Sequence, residues 1–374
     1  IRHCPESLSA TWAYILVALR TIILAVMPWL LILYDPRDAA DSLLTVIQGI
    51  IVGTIIVTLV CAKIWLYRWL SKTPLDKRLI FFLSSQKRQL RRAKACPLGA
   101  ERGLRVQELL EFNAVFKDFL VHRSLRYLVH NIIKPLTKKH QISLAELAGS
   151  KTLTYYVSTP DEMKMDEVVA SILRHSKCVH PTDWKNLSYW MRAWSINIWD
   201  EDVELGLGVW SRSAMHRALT SPQCLATLMV TDLDAMPLRR AWCLVEMLET
   251  FRRQKDTPTE DYDGLHLCSY RGVLGVGDDP HFDHAIGIGR SLAGMTLDEV
   301  SSKSRAEDGC LRNAISASGG PDAALTFFKG NLWSVLEAAE PDIYWDGLCA
   351  KRESSINSLR DAAHGKQKMT FVAT

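Results

Sequence analysis

No two of the nine cysteines in this 374-residue chain are spaced as Cys-x-x-Cys. They fall singly at 4, 61, 96, 178, 224, 243, 268, 310 and 349. That scatter argues against zinc ribbons and a disulfide framework, and it fits a reducing compartment. Strong net charge is lacking too. With 45 Lys and Arg against 41 Asp and Glu the balance is +4, and 48% of residues are hydrophobic, which excludes a disordered chain or one saturated with nucleic acid. No P-loop or nucleophile elbow occurs. Gly272, Gly275 and Gly277 follow a strand signal without a helix start, so they are not the dinucleotide fingerprint. The chain opens on Ile1 rather than Met, so a preceding portion is expected. Its length allows two units, or one domain with additions.

Long apolar runs are present. One extends over about residues 11–33 and a second over about 43–66, each able to cross a hydrocarbon core of ~30 Å at 1.5 Å per residue. Arg20 interrupts the first at a cost of roughly 2.5–3.5 kcal/mol, which its Ile, Leu and Val residues outweigh. The connection from Asp35 to Ser42 is short and acidic. Beyond the second run the chain turns basic, with Arg68, Lys72, Lys77, Arg78, Lys87, Arg88, Arg91, Arg92 and Lys94 against Asp76 alone. The positive-inside rule makes that side cytoplasmic. Residues 1–70 are therefore expected as a transmembrane helical hairpin in a lipid bilayer. The globular part and C-terminus are expected in the cytoplasm.

Residues 71–145 read as a basic juxtamembrane segment and a helical linker. Leu109, Phe112, Phe116 and Leu120 recur at helical spacing, and Pro135 marks an end; a stalk or dimerising helix is expected. From residue 146 to 340, strand and helix signals alternate, which predicts a parallel sheet with flanking helices. The predicted strands are Thr152–Val157, Trp194–Trp199, Leu225–Val230 and Leu265–Ser269. Helices are predicted over Asp161–Arg174, Trp210–Leu219, Leu297–Ala317 and Asp322–Ala339. Residues 341–374 read as a loosely packed tail.

After the third strand comes Arg239-Arg240-Ala241-Trp242-Cys243-Leu244-Val245-Glu246-Met247-Leu248, an amphipathic helix start that places Glu246 one turn from Trp242. A carboxylate beside an indole near a strand's C-terminal end lies where open α/β sheets put ligands. The run resembles the Trp-Cys-Leu-x-Glu-Leu signature of Toll/interleukin-1 receptor (TIR) domains, and is more similar still to a divergent TIR-like group in algae and other protists. The resemblance covers about residues 151–339. It implies a flavodoxin-like sheet, assembly through homotypic contacts, and NAD as substrate, with Glu246 as the carboxylate that cleaves the nicotinamide–ribose bond. Trp242, Tyr156, Ser158 and Trp199 are then the candidate lining of the site. The sequence departs from the family in two places. Asp161 and Glu162 stand in for the acidic Gly-Glu-Asp run after the first strand, and Asn197 replaces an aspartate expected in the second. Those departures favour a membrane-anchored signalling or scaffolding module acting by homotypic association over the NAD glycohydrolase.

Other clusters carry less. Asp232 and Asp234 imitate the Asp-x-Asp of metal-dependent glycosyltransferases, a third reading; a helix-capping carboxylate explains them more simply. Asp278, Asp279, His281, Asp283 and His284 sit among glycines and read as a solvated loop. His175, Cys178 and His180 are an equally loose set of metal-type residues. No resident cofactor, metal or nucleic-acid partner is expected.

Overall fold

A computed structural model describes residues 39–85, 95–96, 99–258, 261–276, 282–302 and 304–339. The first predicted span, the tail and most of the basic run lie outside them. The chain divides into two units between Lys77 and Arg78.

In the first unit, α1 (Ala39–Leu70) absorbs the whole second apolar run and begins earlier than expected. Residues 39–42, read as part of the acidic connection, are helical. Its stretch Gln48–Leu70 is long and apolar enough to cross a membrane, with mean hydropathy 2.2. Trp65 and Trp69 stack near its end at 6.0 Å, and the ammonium groups of Lys72 and Lys77 lie over the Trp69 ring at 5.6 and 5.8 Å.

The second unit is built on five strands: β1 (Leu104–Arg105), β2 (Tyr155–Ser158), β3 (Ser188–Met191), β4 (Ala226–Val230) and β5 (Leu265–Cys268). They lie in the order β1-β3-β2-β4-β5. β2 to β5 are parallel and β1 is an antiparallel edge. The order reverses direction between β2 and β4, the place where open sheets leave a crevice at their strand ends. Every residue of β2, β3 and β4 is buried, as expected of strands covered on both faces.

Alternation along the strands sorts the helices. Tyr155 and Tyr189 stack on one face, where His175 of α4 (Met165–Val179) reaches Tyr189 Oη at 2.8 Å. α4 also packs on α3 (Val106–Leu120). Tyr156 and Trp190 stack on the opposite face, beneath α6 (Ala241–Asp256). α7 (Phe282–Gly294), α8 (Arg305–Ala317) and α9 (Pro321–Ala339) complete that layer.

Five expectations change in this unit. The second strand is β3 at Ser188–Met191, not Trp194–Trp199. Trp194 lies in a one-turn helix, α5 (Arg192–Ser195), whose Ser195 Oγ donates to the Arg102 carbonyl. The stretch expected as a stalk is part of the α/β unit. Phe112 and Phe116 of α3 are buried and meet Phe82 of α2 (Pro74–Ser85). Pro135 does not end its helix. Lacking an N–H and clashing with the carbonyl four residues back, it opens a π turn over Val129–Ile133, in which the Lys134 N–H bonds the Val129 carbonyl five residues back. The chain then continues helically to Thr137. Finally, the glycine-rich segment read as a loop becomes α7 from Phe282. Gly287 fits because a Cβ there would come within 2.5 Å of the Leu233 carbonyl. The helix predicted over Leu297–Ala317 begins only at Arg305, with Ser304 accepting from the Glu307 N–H.

Candidate active site

β2 ends on Tyr156-Val157-Ser158, so the hydroxyls of Tyr156 and Ser158 leave the sheet on the same side, toward α6. Glu246 lies directly above them. Tyr156 Oη donates to Glu246 Oε1 at 2.6 Å, and Ser158 Oγ donates to Oε2 at 2.6 Å. Both carboxylate oxygens are thereby held, and the side chain is only 4% exposed. Burial pushes its pKa up to about 7. The two hydroxyls and the positive charge of Arg192 pull it back down, while Asp161 adds to the rise. Burial and the neighbouring Glu246 charge push the Tyr156 phenol well above its ordinary value, so it remains a donor at neutral pH. Cys243 is likewise driven up by burial and stays a thiol.

Arg192, the first residue after β3, forms an ion pair with Asp161 from the loop after β2. Arg240, at the N-cap of α6, approaches Glu162 at 3.8 Å and Glu307 of α8 at 4.0 Å, and donates to Ser301 Oγ at 2.8 Å. These groups roof the carboxylate. The space left directly against Glu246 is about 20 Å³. Asp161, Arg192, Trp242 and Glu307 line that space and also a larger cleft of about 250 Å³. Glu246 is thus the floor of a cleft at the C-terminal ends of β2 and β3, separated from it by an arginine–aspartate pair.

Of the residues singled out in the sequence, Glu246, Tyr156 and Ser158 meet through hydrogen bonds, and Trp242 lines the cleft. Trp199 stands apart. Its Nε1 donates to Thr137 Oγ1 at 3.0 Å, Lys134 lies over its ring at 5.4 Å, and it lines neither cavity. Asp232 accepts from the Met236 N–H at 2.8 Å, the capping role, and Asp234 is exposed. His175 is engaged by Tyr189 and, at 2.8 Å, by His266. Burial and the neighbouring His266 and His180 lower its pKa to about 3. Cys178 is exposed.

Sequence reasoning missed Arg192, whose signal was positional. A strand at Ser188–Met191 would have put it at a strand's C-terminal end, where functional side chains collect. It also missed the cleft wall supplied by residues 126–134, because that stretch read as a linker.

The fold and site together define an α/β unit with a buried, hydroxyl-held carboxylate at the strand ends. No protein-family model matches the sequence, and neither a curated protein nor a solved structure shows significant similarity to it.

Proposed function

We propose that the α/β unit is a TIR-like NAD glycohydrolase in which Glu246 is the catalytic carboxylate. The observation that carries this reading is the double clamp of Glu246 by Tyr156 and Ser158 at the floor of the cleft. Leaving aside the edge strand β1, the strands run second, first, third, fourth, the flavodoxin-type order, which supports the family resemblance of residues 239–248. Nicotinamide departs from C1 of the ribose with the bonding electron pair, and the ribosyl centre becomes oxocarbenium-like. An ionised Glu246 stabilises that positive charge, fixed beforehand by its two hydroxyl donors and shielded from water by its burial. Water then adds to C1, giving ADP-ribose and a proton. The Arg192–Asp161 pair must part for the ribose to reach the floor.

A second reading, a signalling or scaffolding module acting by homotypic association, is favoured by that closure, since 20 Å³ holds no nucleoside. The glycosyltransferase reading draws no comparable support from the capping role of Asp232. The helix Gln48–Leu70 and the basic residues after it support anchoring in a bilayer with the α/β unit on the cytoplasmic side.

The two main readings part on one assay, NAD turnover by the full chain in detergent at a concentration that permits self-association, with Glu246→Gln beside it. We expect turnover to drop at least about 10²-fold in the variant. The wild-type rate is expected to rise with pH through about 7, as Glu246 loses its proton. Absence of turnover in both proteins, with the folds intact by circular dichroism, would leave the association module.

A further inference from the structure

The 250 Å³ cleft has two unlike walls. One is formed by Arg126, His130 and Lys134, and the other by Asp161, Glu201 and Glu307, three carboxylates against the single guanidinium of Arg192, which pairs with Asp161. The basic wall owes its form to Pro135. On a regular α-helix, residues eight apart are turned by about 80° from one another, so Arg126 and Lys134 would diverge. The π turn between them spends an extra residue on each hydrogen-bonded loop and lowers the rotation per residue. All three side chains then meet the same cleft. Leu125, Leu128, Ile132, Ile133 and Leu136 anchor the opposite side of the segment in the core, leaving the basic side exposed. The Arg126 side chain approaches Glu162 at 3.9 Å, and Lys134 has the Trp199 ring beside it.

The net-acidic wall is the one continuous with the Glu246 floor, through Asp161, its partner Arg192, and Glu307. A ligand matching this polarity carries a positive group at the floor end and a phosphate-borne negative charge at the other. The volume falls just under the ~300–1,000 Å³ usual for enclosed small molecules, which suits one nucleotide and leaves a second outside.

We propose that Arg126, His130 and Lys134 bind the pyrophosphate of the dinucleotide, with the nicotinamide ring directed at the acidic wall. The proposal rests on the NAD reading of the site but is tested apart from it. The π turn sets the alignment of the row, and the three side chains supply charge-assisted hydrogen bonds to phosphate oxygens. The arrangement selects nucleoside diphosphates over phosphate-free nucleosides.

The test is calorimetric titration of the full chain in detergent with ADP-ribose and, separately, with nicotinamide riboside, which carries no phosphate. An Arg126→Gln, Lys134→Gln double variant is run in parallel; both side chains are exposed, and thermal unfolding checks its fold. ADP-ribose affinity is expected to fall at least about tenfold in the variant and to weaken with added salt in the wild type, while riboside affinity is unchanged. Equal affinities of both proteins for ADP-ribose, equal losses for both ligands, or no saturable ADP-ribose binding by the wild type would each overturn the proposal. A chain that binds ADP-ribose through this row yet turns over no NAD would sink the catalytic reading and leave the phosphate site standing.

Discussion

At the scale of single residues, Glu246 ties stability to pH. Its carboxyl is protonated up to about pH 7 in the fold, against an ordinary value of 4.5. Between those limits the folded chain holds one proton more than the unfolded chain. Stability is therefore highest at the acid end of the window and falls as pH rises through it, by roughly 3 kcal/mol from this group. Glu246→Gln should remove that slope. Denaturant midpoints of wild type and variant at pH 4.5, 6 and 8 check it, and an undiminished slope in the variant would assign the titration to another group. The sequence made Glu246 legible because a charged residue inside an apolar helical run beside a tryptophan stands out. Tyr156 and Ser158 were named as lining through the family resemblance, at the end of the first predicted strand. Arg192 was hidden because Trp194-Ser195-Ile196-Asn197-Ile198 alternates like a strand. That pattern lost to tertiary contacts, in which Ser195 accepts from the Met191 N–H and turns the chain.

Among the elements, α3 decides how much of the chain the α/β unit needs. The Leu and Phe stripe of residues 109–120 announced an apolar face correctly, but periodicity alone does not say what an apolar face will meet. Here it meets α4 and Phe82, and Phe116 is fully buried. Phe116→Ala should therefore cost about 3–5 kcal/mol. In chemical unfolding followed by tryptophan fluorescence the whole α/β transition should shift to lower denaturant without splitting. A free stalk would show no shift. The π turn at Pro135 was out of reach for a different reason. Proline signals a helix end in local terms, and only the apolar packing of Leu128, Ile132, Ile133 and Leu136 on the core carries the helix past it.

For the whole molecule, the division at Lys77 and Arg78 separates a membrane-length helix from the α/β unit. Removal of residues 1–77 should move the protein from the pelleted membrane fraction to the supernatant. The denaturant midpoint of the α/β unit should stay within ~0.5 kcal/mol of its value in the full chain. Continued sedimentation with membranes would show that a surface of the second unit binds lipid by itself. The membrane-length helix was plain in the amino-acid pattern, since a run of more than twenty apolar residues followed by basic ones is local information; the start of the second unit was not, because residues 71–145 read as a linker. The edge strand β1 was not, for two residues carry no periodicity.

The roof over Glu246 has a consequence in time. Arg240 and Trp242 precede the carboxylate by only a few residues, but Glu307 and the α8 turn that present it follow by about sixty. At a synthesis rate of roughly 5–20 residues per second, the floor is made about 3–12 s before its cover. During that interval the roof is incomplete: Asp161, Glu162, Arg192 and Arg240 have been made, and Glu307, which pairs with Arg240, has not. A chain arrested before α8 would lack that part of the cover for as long as the arrest lasts.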